Sequence, residues 1–171
     1  TNRKTNWFDA EWMFGIVDGF DIVLANPPYV DSEEMVKRDK EERELIKEEY
    51  SSTTGNWDLY IPFIELAIKN LKKDGFASYI TPNKWLSIKY GKGIRGILNN
   101  KMVSIGNLNN IKVFDAGNSP LVFLFSNNIQ ENLSIDIFKI GYAISERINI
   151  SSELLAENWG LALASNIELV Q

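Results

Sequence analysis

The sequence predicts an α/β fold with a mostly parallel sheet, because short apolar runs alternate with segments of helical pattern. Residues 20–25 and 76–81 are two such runs, with the length and composition of buried parallel strands. Between them, residues 58–73 place their apolar side chains on one face of a helix. Two further apolar runs, 103–108 and 121–126, extend the predicted sheet.

The N-terminal third is predicted to hold a packing arm, one strand and one exposed helix. Residues 1–15 are aromatic and mixed, without a clear period. The strand at 20–25 ends at a pair of prolines, since neither proline can donate to a sheet ladder. The charged segment 32–50 predicts a mostly exposed helix, and the polar cluster 51–56 predicts a loop.

The middle of the chain is predicted to hold two helices on either side of a strand. Lys72 and Lys73 fall in the last turn of the helix at 58–73, and Gly75 stands where a helix terminator belongs. The strand that follows stops at another proline. Residues 84–100 are predicted to be helical, although three glycines weaken that pattern.

The C-terminal part has a looser pattern. A loop that contains Phe114 joins the strands at 103–108 and 121–126. Alternating apolar and polar residues predict a strand at 134–140, and residues 151–157 predict a short helix.

The composition excludes several classes of chemistry. Among the 171 residues there is no cysteine and no histidine, which removes disulfides, thiolate nucleophiles, Cys/His zinc sites and Ser-His-Asp catalysis. We expect no metal site. No apolar run approaches the ~20 residues that span a bilayer, so we expect a cytoplasmic protein without a membrane partner.

Charge is distributed unevenly along the chain. The formal net charge is −5, yet residues 75–114 contain six bases and no acid. Such a window favours a rim that faces nucleic-acid phosphates, and solvated helix faces are the alternative. The bases are Lys84, Lys89, Lys92, Arg95, Lys101 and Lys112.

The turn Asn26-Pro27-Pro28-Tyr29 follows the first strand, where an α/β sheet binds its ligands. It offers two acceptor oxygens, the Asn26 carboxamide and the Pro27 carbonyl, beside the ring of Tyr29. These groups suit a planar amino group such as that of adenine or an amide. Accepting both amino protons makes its nitrogen a better nucleophile and stabilises the positive charge that develops there. The alternative is a rigid proline turn without chemistry.

Residues 20–29 (FDIVLANPPY) resemble motif IV of S-adenosylmethionine-dependent methyltransferases that act on amino nitrogens. The chain is most similar to the gamma class of adenine-specific DNA methyltransferases, as found in fused type II restriction-modification enzymes. The resemblance covers about residues 7–127. Three further stretches support it: 55–60 (GNWDLY), 78–86 (SYITPNKWL), and Val113-Phe114 followed by 121–125 (LVFLF), which is similar to motif VIII.

The resemblance implies a role for each matching position. Asn26 and the Pro27 carbonyl would hold the amino group of the target adenine in line with the methyl group of the cofactor. Tyr29 would stack on the flipped base, and Phe114 would cover its other face, with core packing as the alternative for Phe114. Lys84 and its basic neighbours Lys89, Lys92 and Arg95 would meet the DNA backbone. Asp58 and Asn83 are expected to be a helix cap and a turn residue.

The departure from this family concerns the cofactor site. Neither the glycine-rich turn nor the acidic ribose ligand of such enzymes is found in residues 1–19. We therefore expect the C-terminal half of a Rossmann-like sheet: residues 1–128 form a partial catalytic domain, and 129–171 form a linker or the start of a target-recognition region. The expected partners are double-stranded DNA and the missing N-terminal half. Self-association through an open edge near residues 22–25 is also expected.

The resemblance leaves two other functions open. A protein glutamine methyltransferase shares the same turn, because an amide nitrogen poses the same chemical problem. A fragment that binds nucleic acid without turnover is the second alternative, and the isolated chain is expected to be inactive.

Overall fold

The computed structural model describes residues 10–108, 113, 120–138, 144–155 and 159. Within these residues the chain forms a mixed sheet of six strands in the order β1-β2-β4-β3-β5-β6. The strands are β1 (Phe20–Ala25), β2 (Leu71–Pro82), β3 (Met102–Asn107), β4 (Pro120–Ser126), β5 (Asn132–Phe138) and β6 (Ile144–Ser151). The α-helices are α1 (Ala10–Phe14), α2 (Ser32–Arg38), α3 (Lys40–Glu49), α4 (Tyr60–Asn70) and α5 (Lys92–Leu98). Short 3₁₀ turns occur at Asn83–Leu86, Lys89–Gly91 and Ser152–Leu155.

The sheet confirms the predicted α/β class but is more antiparallel than expected. β1 pairs with β2, and β3 with β5, in parallel. β4 lies between β2 and β3 and runs antiparallel to both, and β6 is antiparallel to β5. β3 therefore has the same direction as β2. Among the described strands, four of six run in one direction, in line with the expected parallel sheet. Three of the five strand pairs are nevertheless antiparallel, because β4 and β6 run in the opposite direction.

The boundary between α4 and β2 differs from the prediction. α4 ends at Asn70, and Leu71 already pairs with Phe20 of β1, so Lys72 and Lys73 belong to the strand. Gly75 is not a helix terminator. A Cβ at this position would lie 2.7 Å from the Phe20 carbonyl oxygen, so a glycine lets the two strands approach closely beside a bulge in their register.

Two of the predicted helices are broken into shorter pieces. Asp39 has extended backbone angles and separates α2 from α3, where its side chain accepts a hydrogen bond from the Glu42 amide. The segment predicted as one helix at 84–100 consists of two 3₁₀ turns before α5. A Cβ at Gly91 would meet the Trp85 carbonyl at 2.0 Å, so the first turn folds directly onto the second.

The core joins the strands through large aromatic side chains. Trp85 and Phe123 are fully buried with ring centroids 5.1 Å apart, and Phe125 lies 5.7 Å from Phe123. Trp159 packs 5.7 Å from Trp85, so the far C-terminal part of the described chain contacts this core. Within the described residues we find no helix that is long and apolar enough to cross a membrane.

The segment after residue 129 continues the same sheet. β5 begins two residues before the predicted strand, β6 was not predicted, and the helix expected at 151–157 is a 3₁₀ turn as far as it is described. Residues 139–140 and 156–158 lie outside the described residues. The division into residues 1–128 and 129–171 stays a prediction.

Glu65 is a buried carboxylate that fixes the turn before α4. It accepts hydrogen bonds from the Ser51 and Ser52 amides at 3.2 and 2.8 Å, and Lys69 lies 3.2 Å away. Burial alone raises the pKa of Glu65, but the bonds from Ser52, Lys69 and Ser51 outweigh it and hold the pKa below its ordinary 4.5. Because the folded pKa is lowered, this carboxylate stabilises the fold above about pH 4.5, and its contribution is lost as the pH falls further.

We expect Glu65→Gln to lower the free energy of unfolding by about 2 kcal/mol at pH 7, because charge-assisted hydrogen bonds are lost. The difference from the unchanged chain should shrink below pH 4.5, where the glutamate itself becomes protonated. Urea unfolding at several pH values measures both effects. Glu48→Gln, on the exposed face of α3, is the control and should change stability by less than about 0.5 kcal/mol. Equal effects of the two substitutions would contradict the assignment.

Candidate functional site

The turn Asn26-Pro27-Pro28-Tyr29 lies directly beyond the last residue of β1. Ala25 pairs with Tyr79, so the turn stands beside the end of β2, at the carboxyl edge shared by these two parallel strands. Asn26 and Pro28 are exposed, Pro27 is buried and Tyr29 is half-buried. The sheet therefore presents the Asn26 carboxamide to solvent where α/β proteins bind ligands.

Tyr29 ties this turn to β2. Its hydroxyl oxygen lies 2.8 Å from Asn26 Oδ1 and 2.9 Å from the Ile80 carbonyl oxygen. A hydroxyl carries one proton, so it donates to one of these oxygens at a time. Burial raises the pKa of Tyr29 to about 12, which keeps the hydroxyl protonated at neutral pH and excludes it as a base there.

Tyr60 and Tyr90 form a network of tyrosines that contacts Tyr29. The rings of Tyr29 and Tyr60 meet edge to face with centroids 6.2 Å apart. The Tyr60 hydroxyl lies 2.8 Å from that of Tyr90, which donates to Asp58 Oδ2 at 2.7 Å. Burial raises the pKa of both Tyr60 and Tyr90, so both remain neutral donors.

This network was missed in the sequence. Asp58 was expected to cap α4, but the cap position is Leu59, without a side-chain cap bond, and Asp58 binds Tyr90 instead. Tyr60 and Tyr90 are 30 residues apart, and no local pattern joins them. The available signal was the position of the two tyrosines: Tyr60 ends the stretch 55–60, and Tyr90 follows the stretch 78–86.

A shallow cleft opens next to Asn26. It has a volume of about 440 Å³ and lies across the ends of β1, β2 and β4, with Leu24, Ala25, Ser78 and Val122 in its walls. Its walls are mostly apolar. The cleft can hold an apolar or weakly polar group against the exposed carboxamide.

The four predicted DNA-binding residues have different surroundings. Lys84, Lys89 and Lys92 are exposed, and the last two line one groove with a volume of about 900 Å³. Arg95 donates to the carbonyl oxygens of Trp85 and Ile88, and burial lowers its pKa. Its guanidinium therefore holds the two 3₁₀ turns together, and the lysines are the better candidates for DNA contacts.

Two predictions are not addressed by this geometry. Phe114 lies outside the described residues, so its role against a target base stays a prediction. In the part of the chain that the structure describes, no group of three or more Asp or Glu side chains is placed to hold a metal ion.

Several solved structures have the same fold as this chain. The type IIG restriction endonuclease BpuSI superposes with a TM-score of 0.61, at 14% identity, over 84% of this chain and 21% of that one. The methyltransferase subunit of a type I restriction-modification system from Streptococcus thermophilus superposes with a TM-score of 0.55, at 16% identity, over 91% of this chain and 35% of that one. A putative class I S-adenosylmethionine-dependent methyltransferase from Listeria monocytogenes superposes with a TM-score of 0.51, at 14% identity, over 70% of this chain and 38% of that one. The chain has the Rossmann-like fold of these methyltransferases.

Sequence comparison gives the family. Residues 1–119 match the model of the Eco57I restriction-modification methylases, and the chain belongs to that family. It is 34% identical over 92 residues to the type II restriction enzyme and methyltransferase RM.Eco57I of Escherichia coli, covering 51% of this chain and 9% of that protein. It is 28% identical over 119 residues to the type II methyltransferase M.BanIII of Aneurinibacillus aneurinilyticus, covering 68% of this chain and 20% of that protein. The chain thus spans a fifth or less of these relatives, and the predicted resemblance is confirmed.

We expect Tyr29→Phe to lower the free energy of unfolding by about 1 kcal/mol at pH 7, because the hydroxyl loses its bonds to Asn26 and Ile80. The pKa of Tyr29 is higher in the folded chain than its ordinary value of 10. The protonated hydroxyl therefore stabilises the fold below pH 10, and this contribution is lost as the pH rises towards 12. The difference between variant and unchanged chain should therefore narrow above pH 10. Urea unfolding at several pH values measures it, and the range from about pH 7 to 9, where the difference should stay constant, is the control. A difference that grows with pH would contradict this account.

Proposed function

We propose that the chain is part of a site-specific DNA adenine methyltransferase within a type II restriction-modification enzyme. The observation that supports this most is the exposed Asn26 carboxamide at the carboxyl edge of β1 and β2, held by Tyr29. Membership of the Eco57I family supports the same proposal. In it, the exocyclic amino group of adenine receives the methyl group.

The chain's own groups act on the target amino group. Asn26 Oδ1 and the Pro27 carbonyl oxygen accept hydrogen bonds from its two N–H groups, which draws the nitrogen towards tetrahedral geometry and stabilises the positive charge that develops on it. One of the two protons then leaves to solvent and restores a neutral amine. The oxygen and the nitrogen of an asparagine carboxamide are nearly the same size, so the group occupies the same space when it is turned over. With the carboxamide turned over, Nδ2 donates to the Tyr29 oxygen, Tyr29 donates to Ile80, and Oδ1 faces the target. This arrangement satisfies all three groups.

Tyr29 has a second proposed role as a platform for the flipped base. Its ring is half-buried and its hydroxyl is fixed at the sheet edge, so it has little freedom to turn. A fixed ring loses little entropy when a base stacks on it. Phe114 is proposed to cover the opposite face of that base.

S-adenosylmethionine, when bound, supplies the methyl group. The cleft beside Asn26 has room for the methyl-bearing end of such a cofactor: its apolar walls would contact the methyl group, and the oxygen of the carboxamide at its rim would face the positive charge of the sulfonium. The residues that line it include no carboxylate for ribose hydroxyls. We therefore propose that the remaining cofactor contacts come from an N-terminal half, and that this chain alone binds the cofactor weakly and is inactive.

The edge of β1 is the proposed contact surface for that N-terminal half. Among the described strands β1 stands at the end of the sheet, and its apolar side chains Ile22 and Leu24 are 67% and 76% exposed. Phe76, on the neighbouring strand, is 42% exposed. An uncovered apolar edge of this kind pairs readily with another strand.

Methyl transfer from labelled S-adenosylmethionine to duplex DNA tests the function, using the chain together with its upstream half. We expect Asn26→Ala to lower kcat by about 10²–10³-fold, because one acceptor of the amino protons is lost. Asn70→Ala is the control and should leave kcat unchanged, since Asn70 is the last residue of α4 and precedes the opposite end of β2. Label on adenine that disappears in the Asn26 variant supports the proposal.

Two outcomes would contradict this function. Label transferred to a protein glutamine, with none on DNA, would identify the amide as the acceptor. Bound cofactor without transfer to either acceptor would show that the module is catalytically silent.

The exposed edge gives a prediction about the chain alone. We expect the 171-residue chain to self-associate at micromolar concentration, because Ile22 and Leu24 leave an apolar strand edge uncovered. The double substitution Ile22→Lys and Leu24→Lys should make it monomeric in sedimentation velocity. The matched control, Val36→Lys and Leu45→Lys, adds the same charge on α2 and α3 and should leave association unchanged. A monomeric unchanged chain would contradict the prediction.

A further inference from the structure

A basic groove lies beside the proposed active site. We define the lysine groove as the space between residues 54–56 and 88–96, with a volume of about 900 Å³. Residues 88–96 follow the carboxyl end of β2, the strand end beside which the turn at Asn26 lies. Its lining includes Asn56, Lys89, Tyr90, Lys92 and Gly96.

The charge of the groove is positive in a chain that is acidic overall. Two lysines line it and no carboxylate does, whereas the whole chain carries a net charge of −5. Asp58 is close in structure, but it accepts a hydrogen bond from the Tyr90 hydroxyl. A cleft lined by one sign of charge concentrates ligands of the opposite sign, so the groove favours an anion.

Contacts connect the groove to the proposed target-base site. Tyr90 lines the groove, and its hydroxyl lies 2.8 Å from that of Tyr60. Tyr60 in turn meets the ring of Tyr29 at 6.2 Å. Tyr90 and Tyr60 thus connect the groove to Tyr29 through direct contacts.

The glycines of the groove have different reasons to be glycine. A Cβ at Gly93 would lie 2.8 Å from the Ser52 carbonyl oxygen, so Gly93 is required by packing. A Cβ at Gly96 would meet nothing within 4 Å, so packing does not require a glycine there. Gly96 also lies within α5, where a glycine costs about 1 kcal/mol of helix stability relative to alanine. Its absence of a side chain leaves the groove open.

We propose that the lysine groove binds the phosphodiester backbone of the DNA strand that carries the target adenine, with Lys89 and Lys92 contacting successive phosphates. This rests on the proposed function, since it takes DNA as the substrate. The cofactor is a poor occupant because its sulfonium and ammonium groups are cationic. A groove that is open and bears two separate ammonium groups suits a continuous strand.

Salt-dependent binding of duplex DNA tests the lysines in the chain joined to its upstream half. Each phosphate contact contributes about 0.9 to the slope of log K against log salt. We expect Lys89→Ala with Lys92→Ala to lower this slope by about 1.8 and to weaken binding at least tenfold at about 0.1 M salt. The control, Lys37→Ala with Lys40→Ala, makes the same change in net charge on α2 and α3 and should leave the slope unchanged.

A pair of substitutions at Gly96 tests the groove without removing a lysine. We expect Gly96→Asp to weaken duplex binding at least fivefold, because a carboxylate would face the phosphates. Gly96→Asn has nearly the same shape and should stay within about twofold of the unchanged protein. The difference between the two variants isolates charge from steric obstruction.

Several outcomes would overturn the groove proposal. Equal slopes for the two double-lysine variants, or equal affinities for the two Gly96 variants, would show that phosphates do not contact the groove. Tight competition by dAMP alone would show a mononucleotide site, and stronger binding of RNA with the same slope change would show an RNA site. Methyl transfer by the unchanged protein is measured in parallel. If DNA is methylated and only the slopes fail to change, the groove proposal fails alone. If no DNA is methylated, both fail.

Discussion

The parallel pairing of β1 with β2 is the constraint on which the candidate site depends. It aligns Ala25 with Tyr79 and so places the Asn26 turn beside the end of β2, where Ile80 can accept the Tyr29 hydroxyl. The same pairing requires Gly75, because a side chain there would strike the Phe20 carbonyl. A slip of one residue would exchange the two faces of β1 and move Tyr29 away from its acceptor. The strand register and the site geometry are therefore one property.

An ion pair supports this register on the exposed side. Lys72 Nζ lies 2.8 Å from Asp21 Oδ1, and its hydrogen bond lowers the pKa of that carboxyl. Both residues are solvent-accessible, so the pair contributes little energy and serves chiefly to favour one alignment. The stabilising contribution of the core is much larger, because Trp85, Phe123 and Phe125 fill the sheet face without access to water.

Local patterns in the sequence identified the turn and five of the six described strands, but not the pairing between strands. The apolar run before Asn26 and the run at 121–126 were predicted close to their observed bounds, because both strands consist mostly of a continuous apolar stretch. β4 is buried as expected, whereas Ile22 and Leu24 of β1 are exposed. The insertion of β4 between β2 and β3 was not predictable in this way, since pairing order leaves no local pattern. The end of α4 was misplaced for a similar reason: Leu71 fits a helix face, yet pairing with Phe20 makes it a strand residue.

The site shows the same division between local and long-range information. Asn26 and Tyr29 stand in one tetrapeptide, so the sequence was sufficient to select them. The support from Tyr60 and Tyr90 depends on α4 and the 3₁₀ turns meeting in space, and the sequence alone could not bring them together. Among the bases, composition selected a window but could not separate Arg95, which binds Trp85 and Ile88, from the exposed lysines.

The acidic character of the chain and its proposed DNA substrate are compatible because the charges are separated in space. The segment 31–49, which includes α2 and α3, carries nine acids and five bases, whereas the acid-free window from 75 to 114 supplies most of β2, the first two 3₁₀ turns and α5. Screening at about 0.15 M salt limits interactions between exposed charges to roughly 8 Å. A strand in the lysine groove would therefore respond to Lys89 and Lys92 more than to the net charge of −5. Local arrangement, and not overall charge, decides whether this surface attracts a polyanion.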